Sequence, residues 1–313
     1  MPPNIYGYAI LTYIAVSYVA AIYISTEKSD KYRLRKDDPV IIKQRMRRLT
    51  VMTLVNLTVL QLLQINLSKG PRNTLRNFGL IPGYYMDGTW DIRQYVVDIA
   101  KVLFLGVLLY IGPLLDSLLL HYFRRTKPRD IVRGLTENNI WAFRNNVFAP
   151  ITEELFYTSM LLTTYLHSFP TEGLSYKRLL WEPSIFFGIA HLHHAYETYL
   201  AGQYDVLNIM LSTSFQFLYT TLFGAFTNFV FLRTGGNLWA CILAHSFCNI
   251  MGFPGPSELV LHFTIIEKSE DARLNRFVEF WNRCYKGLLV LGAVLFFMNL
   301  KPLVSVSRHT VLL

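Results

Sequence analysis

The sequence predicts an all-α polytopic membrane protein, with about eight transmembrane helices around an intramembrane cavity. Three observations support this. The 313 residues are 52% hydrophobic and only 16% charged, with a mean hydropathy of +0.29; soluble chains carry about 25% charged residues. Apolar runs recur along the whole chain, and a bilayer crossing takes about twenty apolar residues. Two adjacent carboxylates, Glu153 and Glu154, sit inside one of these runs. A single carboxylate at the centre of a bilayer helix costs roughly 2.5–3.5 kcal/mol, so a pair marks a site rather than a surface.

The runs fall near 5–24, 49–67, 95–123, 140–166, 181–200, 205–232, 236–253 and 285–300. Several are short or hold polar residues, so eight is an estimate and one or two are candidates for re-entrant segments. The first run lacks a basic stretch before it and a small-residue cleavage site, so it reads as a retained span. The run at 140–166 is interrupted by Pro150. Either a helix starts there, with both glutamates in its first turn where the dipole favours carboxylates, or a continuous helix is kinked. The run near 181–200 carries His191, His193 and His194. If it is helical, His191 and His194 share a face and Phe187 lies one turn earlier, while His193 faces away. In the run at 236–253, Gly235-Gly236 forms a turn that opens a helix, and His245 and Asn249, four apart, point the same way.

Orientation follows Lys and Arg. Lys28, Lys31, Arg33, Arg35, Lys36, Lys43, Arg45, Arg47 and Arg48 crowd the segment after the first run. Arg124, Arg125, Lys127, Arg129 and Arg133 follow the third, and Lys268, Arg273, Arg276 and Arg283 precede the last. These mark one side as cytoplasmic. The loop with Lys69, Arg72, Arg76 and Arg93 is less basic and belongs to the far side. The net charge of +9 therefore reflects membrane topology. No nucleic-acid motif interleaves aromatic and basic residues. Cys241, Cys248 and Cys284 form no CxxC, which excludes a disulfide framework or zinc knuckle. Without repeats or a linker, residues 1–313 read as one membrane domain, with 140–256 as its core.

The polar residues of that core suit hydrolysis. A glutamate beside a histidine takes a proton from water. A second histidine and an amide donate to the oxyanion that forms at an attacked carbonyl. No GxSxG serine signature and no HExxH zinc signature occurs. Taken singly, each element has a plainer role. Intramembrane His245 and Asn249 satisfy helix–helix hydrogen bonds, buried Cys248 is ordinary packing, and His121, His167, His262 and His309 fall at span ends or in loops.

The three segments resemble the type II CaaX prenyl endopeptidases, the Rce1 family within the ABI or CPBP group of intramembrane glutamate proteases, and look close to fungal members. Glu153-Glu154 opens the family's EExxxR motif, Phe187-xxx-His191 fits FxxxH, and His245-xxx-Asn249 fits HxxxN. The resemblance implies that Glu153 and His191 activate water and that His245 and Asn249 hold the oxyanion, with Glu154, Phe187, His194 and Tyr157 in support. It implies farnesylated or geranylgeranylated CaaX proteins as substrates, Ras-like and mating-factor-like among them, cleaved after the lipidated cysteine. It also implies the endoplasmic reticulum membrane, contact with lipid and access from the cytoplasm. One departure stands out: Thr158 occupies the position of the motif arginine, so Glu154 needs another donor, Tyr157 or a residue elsewhere. No cofactor is expected. A zinc-dependent version with Glu153, His191 and His245 as ligands, and a transporter or non-catalytic scaffold, remain the alternatives.

Overall fold

The structure, a computed structural model, describes residues 5–24, 37–68, 74–127, 139–169, 174–202, 204–268 and 270–304. Lys28, Lys31, Arg33, Arg35, Lys36, Lys69, Arg72, Arg129, Arg133 and His309 lie outside the described residues. Every named element is helical, and among the described residues the only β-type pairing is one bridge between Tyr84 and Trp90.

Helix α1 is Ile5–Tyr23 and α2 is Pro39–Ser68. Proline is pre-shaped for the first helical position, so α2 begins ten residues before the apolar run expected at 49. Its first turns therefore carry Lys43, Arg45, Arg47 and Arg48. The run expected at 95–123 is two helices, α3 (Ile92–Leu109) and α4 (Ile111–Phe123), bent by 73°. Pro113 supplies the reason: it has no N–H for the Leu109 carbonyl and its ring crowds that group. A close contact also holds the bend, since a Cβ on Gly292 would stand 2.6 Å from the Leu109 carbonyl oxygen.

Residues 140–168 form one continuous helical path, α5, with two widened π-type turns at Arg144–Phe148 and Glu154–Met160. Sequence left two forms open at Pro150, and the structure takes the continuous one. The N–H of Ala149 reaches back five residues to the Arg144 carbonyl, and the wide turn carries the chain past the missing donor of Pro150. The glutamates therefore do not lie at a helix N-terminus. Wide turns of this kind occur frequently at functional sites.

Helix α6 (Tyr176–Ala190) stops at His191, and α7 (His193–Ala201) follows after a tight turn. Helix α8 (Val206–Arg233) packs closely on α6 through glycines. A Cβ on Gly188 would meet the Thr221 hydroxyl at 2.1 Å, so only glycine allows this approach. Gly235 and Gly236, both at positive φ, turn the chain into α9 (Leu238–Met251), which Asn237 caps by accepting from the Ala240 N–H. Helix α10 is Ala272–Leu303.

Among the described residues, α1, α8 and α10 are long and apolar enough to cross a membrane, and the bent α3–α4 pair passes the same test as a broken span or a re-entrant loop. The expected count of about eight spans is not confirmed among the described residues. The remaining apolar runs do become helices. However, α2 starts with basic turns, α6 and α7 are separated by a break, and α9 has only 14 residues. The main core gathers Leu11, Phe156, Met160, Tyr165, Phe231 and Leu238 among others. A smaller cluster around Leu120, Leu259, Phe263, Val278, Trp281 and Tyr285 joins α4 to α10.

Candidate active site

Successive residues on a helix point about 100° apart, so Glu153 and Glu154 face different neighbours. Glu154 is 1% exposed and its carboxylate is fully engaged. Oε1 lies 2.7 Å from His245 Nδ1, and Oε2 accepts from the Thr158 hydroxyl at 2.7 Å. Thr158 pairs in turn with Thr227 of α8 at 2.9 Å. The donor missing from the motif is therefore the residue that replaces the arginine. Tyr157, the other candidate, instead sends its hydroxyl to the Ala15 carbonyl at 3.0 Å.

Glu153 lies on the other face. It lines a cavity of about 250 Å³ together with Tyr157, His191, His193 and His194. Its one hydrogen bond among the described residues comes from Tyr18 on α1, at 3.4 Å. His245 Nε2 stands 3.8 Å from Glu153 Oε2, so His245 sits between the two glutamates, one at each ring nitrogen. Because Glu154 occupies Nδ1, Nε2 is the nitrogen turned towards Glu153, and the buried His245 itself does not line the cavity. Phe223 packs its ring at 4.8 Å from that of His245 and fixes the imidazole.

His191 is held in a similar way. Its Nδ1 lies 2.8 Å from the Phe187 carbonyl oxygen, which makes Nδ1 the protonated nitrogen and leaves an Nε2 lone pair. Phe187 packs edge-on to His191 at 4.8 Å and lies 6.3 Å from His245, so one ring braces both imidazoles. His193 differs from expectation. Tight bonds from His191 N to Gly188 O and from Leu192 N to Ile189 O end α6, and this turn brings His193 onto the cavity wall. A continuous helix would have pointed it away. His194 also lines the cavity, with Nδ1 at 3.3 Å from Glu197 Oε2.

Asn249 lies one turn beyond His245 but is exposed and does not line the cavity. Its amide donates to the carbonyl of Asn145, a cavity residue, at 2.8 Å, and its second N–H is left over. The three cysteines are free. His262 pairs with Glu267 at 3.1 Å, away from the site. Sequence reading missed Tyr18, Thr227 and Arg45. Each is a polar residue on a helix other than the three motif segments, so spacing gave no signal for it.

Among the described residues, the one group of three side chains that brings metal-type donor atoms within 4.8 Å of one another is His193, His194 and Glu197. Glu153, His191 and His245 do not form such a group. Glu197 is already bonded to Arg45 at 3.0 Å, and a cation there would face the guanidinium. The donor set fits a metal poorly.

Residues 136–251 match the family model described as type II CAAX prenyl endopeptidase Rce1-like. The chain is 45% identical to CAAX prenyl protease 2 of Saccharomyces cerevisiae over 315 residues, covering 98% of each. It is 34% identical to human CAAX prenyl protease 2, covering 80% of this chain and 71% of the human one. A protein of the same name from Arabidopsis thaliana is 34% identical over 42% of this chain and 40% of its own. No solved structure matches. With the adjacent glutamates, the two histidines and this full-length similarity together, the chain belongs to the type II CAAX prenyl endopeptidase family.

Proposed function

We propose that this protein is a CaaX prenyl protease that hydrolyses the peptide bond after a lipidated cysteine and releases the last three residues. One observation carries the reading: Glu153, nearly free of hydrogen bonds, faces a cavity beside His191 while Glu154 holds His245 from behind. A relative aligned over 98% of the chain bears the name of that activity.

In the proposed step, Glu153 takes a proton from water and the hydroxide oxygen attacks the scissile carbonyl carbon. The His191 Nε2 lone pair accepts a hydrogen bond from the same water and orients it. The oxyanion receives the Nε2–H of His245, whose imidazolium form is stabilised by Glu154 at Nδ1. Asn249, the second donor that the resemblance implies, stands outside the cavity and takes no part in this step. When the tetrahedral intermediate collapses, the leaving amine takes the proton back from Glu153. No metal takes part.

The substrates are farnesylated or geranylgeranylated CaaX proteins, of the Ras-like and mating-factor-like kinds, in the endoplasmic reticulum membrane. A cytoplasmic opening is supported by Arg45, which lines the cavity and belongs to the basic first turns of α2. The test is cleavage of a farnesylated CaaX peptide by purified, chelator-treated protein, with metal content measured. Wild type is expected to release the tripeptide and Glu153→Ala to release none. Normal turnover by Glu153→Ala would sink the mechanism, and solute flux without peptidase activity in proteoliposomes would favour a transporter.

A further inference from the structure

The cavity that holds Glu153 and His191 also holds a guanidinium with spare donors. Arg45, on α2, lines it and is only 18% exposed at the side chain. Among the described residues it makes one hydrogen bond, from Nη2 to Glu197 Oε1 at 3.0 Å, and its charge lies 5.8 Å from the Tyr23 ring. A guanidinium carries five N–H donors, so four have no described partner. Arg144 lines the same cavity but directs Nη1 to Asp37 at 3.1 Å and Nε to Asn145 at 2.8 Å. Arg45 thus keeps four donors without a described partner on the cavity wall, and Glu197 holds it in place. The second oxygen of Glu197 rests on His194.

A substrate of the proposed kind brings one fixed anion into the site. Cleavage after the lipidated cysteine leaves three residues between the scissile bond and the terminal carboxylate. Three extended residues reach about 10 Å, which is of the order of the width of a 250 Å³ cavity. A planar guanidinium matches a carboxylate in a two-point, charge-assisted arrangement.

We propose that Arg45 binds the C-terminal carboxylate of the substrate and so measures the three-residue distance to the bond that is cut. The inference rests on the protease reading. The geometry would make the enzyme a reader of chain ends, and an internal cysteine followed by more residues would lack the anion in that position.

The experiment compares two prenylated CaaX peptides, one ending in a free acid and one in a carboxamide, with kcat and KM measured for each. Wild type is expected to prefer the acid by about 10- to 100-fold in kcat/KM, the range for hydrogen bonds to a charged group, mostly through KM. Arg45→Gln with Glu197→Gln, which leaves no unpaired carboxylate, should cleave both peptides at the rate wild type shows for the amide. Arg45→Lys, which keeps the pair with Glu197, should retain part of the preference. Three results would overturn the assignment: a wild type indifferent to the acid, a double variant that still prefers it, or equal losses on both peptides. Failure of wild type to cleave either peptide would instead remove the protease reading itself.

Discussion

Asp116 and Glu153 are both carboxylates set in apolar helices, yet their surroundings are opposite. Asp116, on α4, is 2% exposed and accepts four hydrogen bonds. Ser257 and Trp281 donate to one oxygen at 2.5 and 2.6 Å, and the backbone N–H groups of Glu258 and Leu259 donate to the other at 2.7 and 3.3 Å. It ties α4 and α10 to the short helical segment that follows α9. Glu153 has one hydrogen bond, of 3.4 Å, and faces a cavity. A carboxylate saturated with donors has no lone pair for a substrate and works as a joint. One left with open lone pairs in a water-accessible cavity can take a proton. Glu154 resembles Asp116 in saturation, but one of its partners is the imidazole of His245.

This contrast can be broken directly. Glu153→Gln should lower kcat by about 10²–10⁴, the range for loss of a general acid–base group, while the thermal midpoint of the purified protein is unchanged. A matching fall in stability would make Glu153 a structural carboxylate like Asp116. Asp116→Ala should do the reverse. It strands buried neutral donors and should cost about 1–3 kcal/mol of stability for each one left unsatisfied, read as a lower unfolding midpoint, with turnover per folded molecule retained. Loss of turnover in the folded fraction would show that the α4–α10 joint also shapes the site.

Thr158→Val sharpens the position of Glu154 between these extremes. Removing the hydroxyl leaves Glu154 Oε2 without its donor and loosens the hold on His245. A fall in kcat of about tenfold is expected, with Thr158→Ser close to wild type. No change would mean that packing alone holds Glu154. Thr227→Val, one bond further from the chemistry, should lower kcat by about two- to threefold; an effect larger than that of Thr158→Val would contradict the order of the chain Thr227, Thr158, Glu154, His245.

Much of the site was legible in the residue order. Glutamates and histidines are costly at membrane depth, so their presence in three apolar segments singled out Glu153, His191 and His245. Gly235-Gly236 announced the turn into α9, and both glycines are at positive φ. The tilt of the histidine segment was not legible. A helix pattern put His191 and His194 on one face, but the break at His191–Leu192 brought His193 to the cavity as well. The breaks within the apolar runs were not legible for a related reason. Hydropathy sums a window and does not register the bend at Pro113 or the break between α6 and α7.

The sequence by itself determined the class of protein, the polar residues that a membrane segment would not carry without use, and the family. These depend on transfer free energies and on local order, which composition and spacing express. Tertiary structure decided that the two glutamates face different neighbours, that Thr158 with Thr227 stands where an arginine was expected, and that Arg45 and Glu153 line one cavity. Apart from the Thr158–Glu154 bond within one helical turn, these are contacts between residues dozens to more than a hundred positions apart. They depend on which helix faces pack together, and no pattern along the chain encodes a hydrogen bond between α5 and α9 or a cavity shared by α2 and α5.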